Sequence, residues 1–130
     1  MTADLHLQTT RKNELLPVTA QVADLVRSNG WQDGVLTLFV PHTTAGITIN
    51  ENADPDVARD MLWFTEQLVP DLPGFRHAEG NSAAHIKASL FGSSVQVIVR
   101  RGALWLGTWQ GIYFCEFDGP RQRQLLLKFS

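Results

Sequence analysis

The chain has 130 residues, 44% of them apolar, which is close to the commonest domain size and enough to bury a core, so one compact domain is expected. Eleven basic against thirteen acidic residues leave a formal charge of −2 without charged runs, which argues against a nucleic-acid or anionic-membrane binder. Cys115, the single cysteine, lies in an apolar stretch, so a disulfide framework is excluded and a buried strand thiol in a reducing compartment is expected.

The opening residues MTADLHLQTTRKNELL have no basic start followed by an apolar signal core, and no apolar run approaches transmembrane length, so a cytoplasmic location is expected. Residues 5 to 10 read as a first strand that carries His6 in a structural position. Pro17 opens a helix in which Val18, Val22, Leu25 and Val26 recur at helical spacing until Gly30. Val35 to Val40 form a buried strand, and Ile47 and Ile49 alternate with polar residues in a second strand that is placed to return beside it. Asp54 followed by Pro55 is a strong helix start, and Val57, Met61, Phe64 and Leu68 form an apolar stripe expected to be core, closed by Pro70. A shorter helix runs from about Ser82 to Phe91, capped by Asn81 or Ser82, with Ile86 and Leu90 expected to face inward. Three or four strands follow from Ser94, turned at Arg101-Gly102 and Asp118-Gly119. Consecutive strands with short turns predict an α+β domain over residues 1–130, with mainly antiparallel, sandwich-like sheets and two to three helices outside.

Chemistry is concentrated in two polar, glycine-punctuated segments, PHTTAGITINENADPD with His42 and FRHAEGNSAAHIKASL with His77 and His85. Imidazole titrates near neutrality and is the commonest metal ligand, so three histidines outside the apolar runs are candidate ligands of one ion. Their spacing matches no zinc-finger or HExxH pattern, and solvent-exposed or hydrogen-bonded histidines are the alternative. Asn50, Glu51 and Asn52 follow an apolar strand and would meet His42 if the two strands formed a hairpin; Glu51 or Glu79 is then a candidate base, with Asn50 beside it. In GTWQG the glycines are suited to bring backbone amides to an anion, with Thr108 and Gln110 as hydrogen-bonding groups; the alternative is a strand bend with Trp109 packed as core. Lys87 and Arg101 are candidate phosphate partners.

HTTAGITINENADPDVARDM, HAEGNSAAHIKASLFGSS and VIVRRGALWLGTWQGIYFCEFDGPR resemble, in order and spacing, the signature blocks of the YjbQ-like family, known as secondary thiamine-phosphate synthases. The resemblance spans most of the chain and is strongest from Val35 to Arg123. Its closing block is carried by Ser94, Val97, Val99, Gly102, Gly107, Thr108, Trp109, Gln110 and Ile112. One departure is Ala83-Ala84, where many relatives carry an acid between positions corresponding to Asn81 and His85.

The resemblance implies a homotrimer that joins a pyrimidine diphosphate to a thiazole phosphate, giving thiamine phosphate and pyrophosphate. On this reading His42, His77 and His85 hold a divalent metal, expected to be zinc. Lys87, Thr108 and Gln110 bind phosphate, and Glu51, Glu79 and Asn50 assist catalysis. Magnesium, which prefers oxygen ligands, would accompany the diphosphate substrate. Two alternatives stay open. One is a metal-dependent hydrolase of a small phosphorylated metabolite with Glu51 or Glu79 as base, and the other is a non-enzymatic trimer that binds metal or a phosphometabolite.

Overall fold

A computed structural model describes residues 1–130, in which eight strands and three helices follow the order β1 (Thr2–Gln8), β2 (Glu14–Pro17), α1 (Thr19–Ser28), β3 (Gly34–Phe39), β4 (Ala45–Glu51), α2 (Pro55–Leu68), α3 (Ser82–Phe91), β5 (Ser94–Arg100), β6 (Ala103–Leu104), β7 (Gln110–Glu116) and β8 (Gln122–Phe129). The strands form a five-stranded sheet, β1-β8-β3-β5-β6, and a three-stranded sheet, β2-β7-β4, with antiparallel pairing throughout. The predicted α+β class and sandwich-like sheets are therefore present. No helix is long and apolar enough to cross a membrane.

Strand parity explains the layering. In β7, Ile112 and Phe114 join the main core between the sheets, while Tyr113 and Cys115 face the other way into a second cluster with Leu15, Ala84, Ala88 and Phe117. A strand buried on both faces reads as a continuous apolar run, as IYFC does. Val97 and Val99 of β5 and Leu125, Leu127 and Phe129 of β8 point into the main core, which α1 closes with Val22 and Val26. Cys115 is fully buried, and that burial pushes its thiol pKa up. At the β5–β6 turn, Arg101 (φ 52) and Gly102 (φ 74) both take the left-handed conformation that a tight hairpin of matching twist requires.

Four expectations are corrected. The first strand starts at Thr2 rather than residue 5, and the short β2 precedes α1. β3 and β4 do not pair: β3 lies between β8 and β5, whereas β4 lies beside β7 in the other sheet, so the segment between them carries the chain from one layer to the next. In α2, the residues that meet the second cluster are Ala58, Met61 and Leu62, with Thr65 buried on the same side; Phe64 and Leu68 of the expected stripe are 58% and 61% exposed. α3 is turned over relative to expectation, burying Ala83, Ala84, Lys87 and Ala88 and leaving Ile86 and Leu90 outward.

The reason for the last orientation is close packing. A Cβ on Gly46 of β4 would stand 2.7 Å from the Gly92 carbonyl oxygen and 3.2 Å from Phe91 Cβ. The face of α3 that comes this near the sheet carries Ala84 and Ala88, and at its end Phe91 packs edge to face on Phe117. α2, by contrast, begins as its sequence dictates, with Asp54 accepting the Asp56 N–H at 2.9 Å and Pro55 at the first helical position.

Candidate functional site

His42 sits in the crossover between the two sheets, and β8 fixes it there. The Gln124 N–H donates to His42 Nε2 at 3.0 Å, so the neutral ring carries its proton on Nδ1. Two residues on, the Arg123 guanidinium donates to Thr44 Oγ1 at 2.8 Å and to the Thr44 carbonyl at 3.2 Å. Arg123 is itself held by Glu116, at 2.8 Å to Oε1 and 2.5 Å to Oε2, and the Thr9 hydroxyl and Asp118 N–H also donate to that carboxylate. Burial, and next the Arg123 guanidinium, hold the His42 pKa below its usual 6.5 against an opposing pull from Glu116.

His85 approaches from α3. It shares with His42 a cleft of about 470 Å³ whose polar lining is completed by Thr43, Ser89 and Ser93. The Ser89 hydroxyl is turned back onto the His85 carbonyl at 3.0 Å. No carboxylate lines this cleft. On its other side His85 meets His77 edge to face, ring centroids 5.4 Å apart, and the two border a second hollow of about 400 Å³ with Phe75, Ser82 and Ile86. His77 Nε2 lies 3.9 Å from Glu79 Oε1. Two segments far apart in sequence thus bring three imidazoles to one side of the molecule, because α3 lies against β4 directly after the His42 crossover.

The arrangement does not fit a three-histidine metal ion. No three His, Cys, Asp or Glu side chains are grouped closely enough to hold one, and His42 has Nε2 committed to Gln124. His85 faces both hollows, with His42 in one and His77 in the other.

Asn50 and Glu51 do not reach His42. They close the far end of β4, about 20 Å away at a strand's rise of roughly 3.3 Å per residue, because β4 runs extended from the His42 crossover along β7 until Glu51 stands opposite Gln110. Asn50 Oδ1 accepts the Glu51 N–H, and the Tyr113 hydroxyl lies 2.9 Å from the Glu51 carbonyl and from Asn52 Oδ1. The GTWQG turn is at that same far end. Gln110 Oε1 accepts the Gly107 N–H at 2.8 Å and the Gln110 N–H donates to the Gly107 carbonyl, so the amide proposed for an anion is already used. Trp109 is 64% exposed, which corrects the reading of a core indole.

Lys87 lies in neither place. It is buried beneath α3 in a separate cavity that Glu79, Asn81 and Asp118 also line, and no cavity is shared by Lys87 with Thr108 or Gln110. Asn81 stands at the cap position of α3 as expected, but its amide donates to Asp118 Oδ2 at 2.8 Å instead of its Oδ1 capping the helix.

Sequence reasoning overlooked Glu116, Arg123, Thr44 and Gln124, which position His42. A signal was present. Glu116 shares strand parity with Ile112 and Phe114, and Arg123 with Leu125 and Leu127, so each charge occupies an inward position of its strand. A broader hollow of about 500 Å³ over β1, β3 and β8 has Asp4 and Lys128 as its only charged lining and contains no histidine.

Comparison with known proteins places these features in a wider group. The family model described as UPF0047 protein YjbQ-like matches residues 3–130. The UPF0047 protein YugU of Bacillus subtilis is 50% identical over 129 residues, covering 98% of each chain. A crystal structure of an uncharacterized conserved protein of the yjbq/upf0047 family from Clostridium acetobutylicum superposes with a TM-score of 0.94 at 52% identity, covering 98% of this chain and 99% of that one. A hypothetical protein from Aeropyrum pernix K1 gives the same TM-score at 35% identity, covering 100% and 98%.

Proposed function

Since the chain belongs to the YjbQ-like UPF0047 family, we propose that the His42–His85 cleft is the reaction chamber of a transferase of the thiamine-phosphate synthase kind, acting on a small phosphorylated metabolite. The observation that carries this reading is the make-up of the cleft: two imidazoles and the Thr43 and Ser93 hydroxyls, with no carboxylate to repel an anion. Phosphate binding is accordingly assigned to Thr43, Ser93 and the histidines. Lys87, whose cavity has three carboxylates in its lining, is set aside for this role, as are Thr108 and Gln110 at the far end of β4.

In the proposed reaction the thiazole nitrogen attacks the methylene carbon of the pyrimidine diphosphate. A C–N bond forms, the C–O bond to the diphosphate breaks, and pyrophosphate leaves. The protein holds the two rings in line, and His85 offsets charge or donates a proton as pyrophosphate departs. Magnesium would enter with the diphosphate as part of the substrate, on oxygen ligands.

A homotrimer belongs to the same proposal. Its support is exposed apolar surface, contributed by Trp63, Phe64 and Leu68 of α2 and by Leu90 and Ile86 of α3, the last of which lines the His77–His85 hollow. Light scattering of the purified chain reads the mass directly.

The deciding experiment incubates the purified protein with the pyrimidine diphosphate, the thiazole phosphate and magnesium, and follows pyrophosphate release together with thiamine phosphate by chromatography. Stoichiometric formation of both supports the synthase. Phosphate release from simple esters without coupling points to a hydrolase. Stoichiometric zinc that survives purification and no turnover would replace the enzyme reading with a binding one.

A further inference from the structure

Lys87 is 5% exposed, yet its ammonium has no ion-pair partner and one long hydrogen bond, Nζ to Asn13 Oδ1 at 3.3 Å. A lysine amine carries three donors when charged, so most of this group's capacity is unused. It lines a partly open cavity of about 110 Å³ between α3 and the turn before it, floored by Ala83, Ala84 and Phe117. The Asn81 side chain lines the same cavity. Its Nδ2 is spent on Asp118, which fixes the amide orientation, and its buried Oδ1 has no hydrogen-bond partner. A buried amine with unused donors thus borders a small cavity whose lining also includes Asn81, with Lys12, Asp71 and Glu79 at the exposed rim and Lys12 paired to Asp71 at 3.4 Å.

We propose that Lys87 is a nucleophilic amine that forms an imine with a small aldehyde or ketone in this cavity, a site separate from the histidine cleft. The volume admits a carbonyl compound of a few heavy atoms, and the Asp71, Glu79 and Asp118 carboxylates select against an anionic one. The Nζ lone pair attacks the carbonyl carbon. A C–N bond forms, the C=O π pair moves to oxygen, and one amine proton passes to that oxygen. The nitrogen lone pair then forms the C=N bond as the C–O bond breaks, and the hydroxyl leaves as water with a proton from solvent at the rim, to which the second nitrogen proton returns. Aldehyde plus amine gives imine plus water, with no oxidant or further reactant. Burial supports the assignment by lowering the Lys87 pKa toward the neutral, nucleophilic form.

The chain has three lysines, Lys12, Lys87 and Lys128, so selectivity can be read within one molecule. The folded protein is treated with glycolaldehyde and cyanoborohydride, which reduces an imine to a stable secondary amine, and the sites are mapped by peptide mass spectrometry. Lys87 should be modified about ten-fold or more faster than Lys12 or Lys128, with the preference lost in urea, as expected of an amine activated by its folded surroundings. Anionic glyoxylate should show a weaker Lys87 preference than glycolaldehyde. Equal or slower labelling of Lys87 in the folded chain overturns the proposal and leaves Lys87 a structural group over a water-filled cavity.

Discussion

Arg123 and Glu116 form an ion pair in the gap between the two sheets, 2.5 Å apart at Nη2 and Oε2 with side chains 3% and 0% exposed, and the pair anchors the crossover that presents His42. Arg123 reaches from Glu116 to both oxygens of Thr44, while the next residue, Gln124, donates its N–H to His42. A buried charge pair of this kind contributes little as a pair but makes the loss of either member costly.

Glu116→Gln or Arg123→Met should therefore each destabilise the fold by about 3–5 kcal/mol, the usual cost of stranding one buried charge, and the double replacement should cost less than the sum. Denaturant unfolding of the three variants measures this. Equal and additive small losses would show that the pair is not an anchor.

The acid limb of stability should follow Glu116. Burial raises its carboxyl pKa, but hydrogen bonds from Arg123, the Asp118 N–H and Thr9 outweigh that and hold it below the ordinary 4.5. A depressed carboxylate contributes stability that is fully present above its unfolded value and lost as pH falls through the folded one. Melting temperatures from pH 7 to pH 3 should drop on the acid side in the parent and be flatter in Glu116→Gln.

His42 acts at higher pH with its own sign. Its pKa lies lower in the fold than in the unfolded chain, so folding favours the neutral ring and stability declines as pH falls below 6.5 toward the folded value. NMR titration should find the His42 ring titrating below 6.5 with its neutral proton on Nδ1. A normal midpoint would remove the inferred burial and Arg123 effects.

The histidine cleft and the GTWQG turn should separate cleanly. If the proposed synthase reading holds, His42→Ala or His85→Ala should reduce that turnover by about 10²–10⁴-fold, the span of acid–base assistance, with the fold retained. Trp109→Ala should change stability by no more than about 0.5 kcal/mol, as for other exposed positions. Gln110→Ala should cost about 0.5–1.5 kcal/mol for the lost turn bond without weakening pyrophosphate binding. Calorimetric titration beside thermal melts distinguishes these outcomes.

Gly46→Ala tests how the fold sets the site. The added Cβ meets the Gly92 carbonyl at 2.7 Å, and overpacking of this kind costs about 1–3 kcal/mol. Relief by moving α3 would carry His85 away from His42. Turnover should fall further than the melt alone accounts for, and a variant that melts early but turns over normally would separate Gly46 from the site.

Some of this protein was determined locally. The Asp54-Pro55 start of α2, the positive-φ turn at Arg101-Gly102, the buried Cys115 and the strand character of β3, β5, β7 and β8 all follow from neighbouring residues, because caps, turns and burial periodicity are encoded over a few positions. The histidine-bearing segments were also visible, since polar residues interrupting apolar runs mark loops. Tertiary structure alone decided which elements became neighbours. β3 and β4 parted into different sheets, and α3, from another segment, packed beside β4 and brought His85 to His42, while Glu51 stayed at the far end of β4. The inward face of α3 was likewise set by its close approach to the sheet at Gly46, which put Ala84, Ala88 and Phe91 inward and Ile86 and Leu90 outward. Hydrophobicity says how much a helix face gains by burial, but the space left by the partner surface says which face fits, and that space is a property of residues distant in the chain.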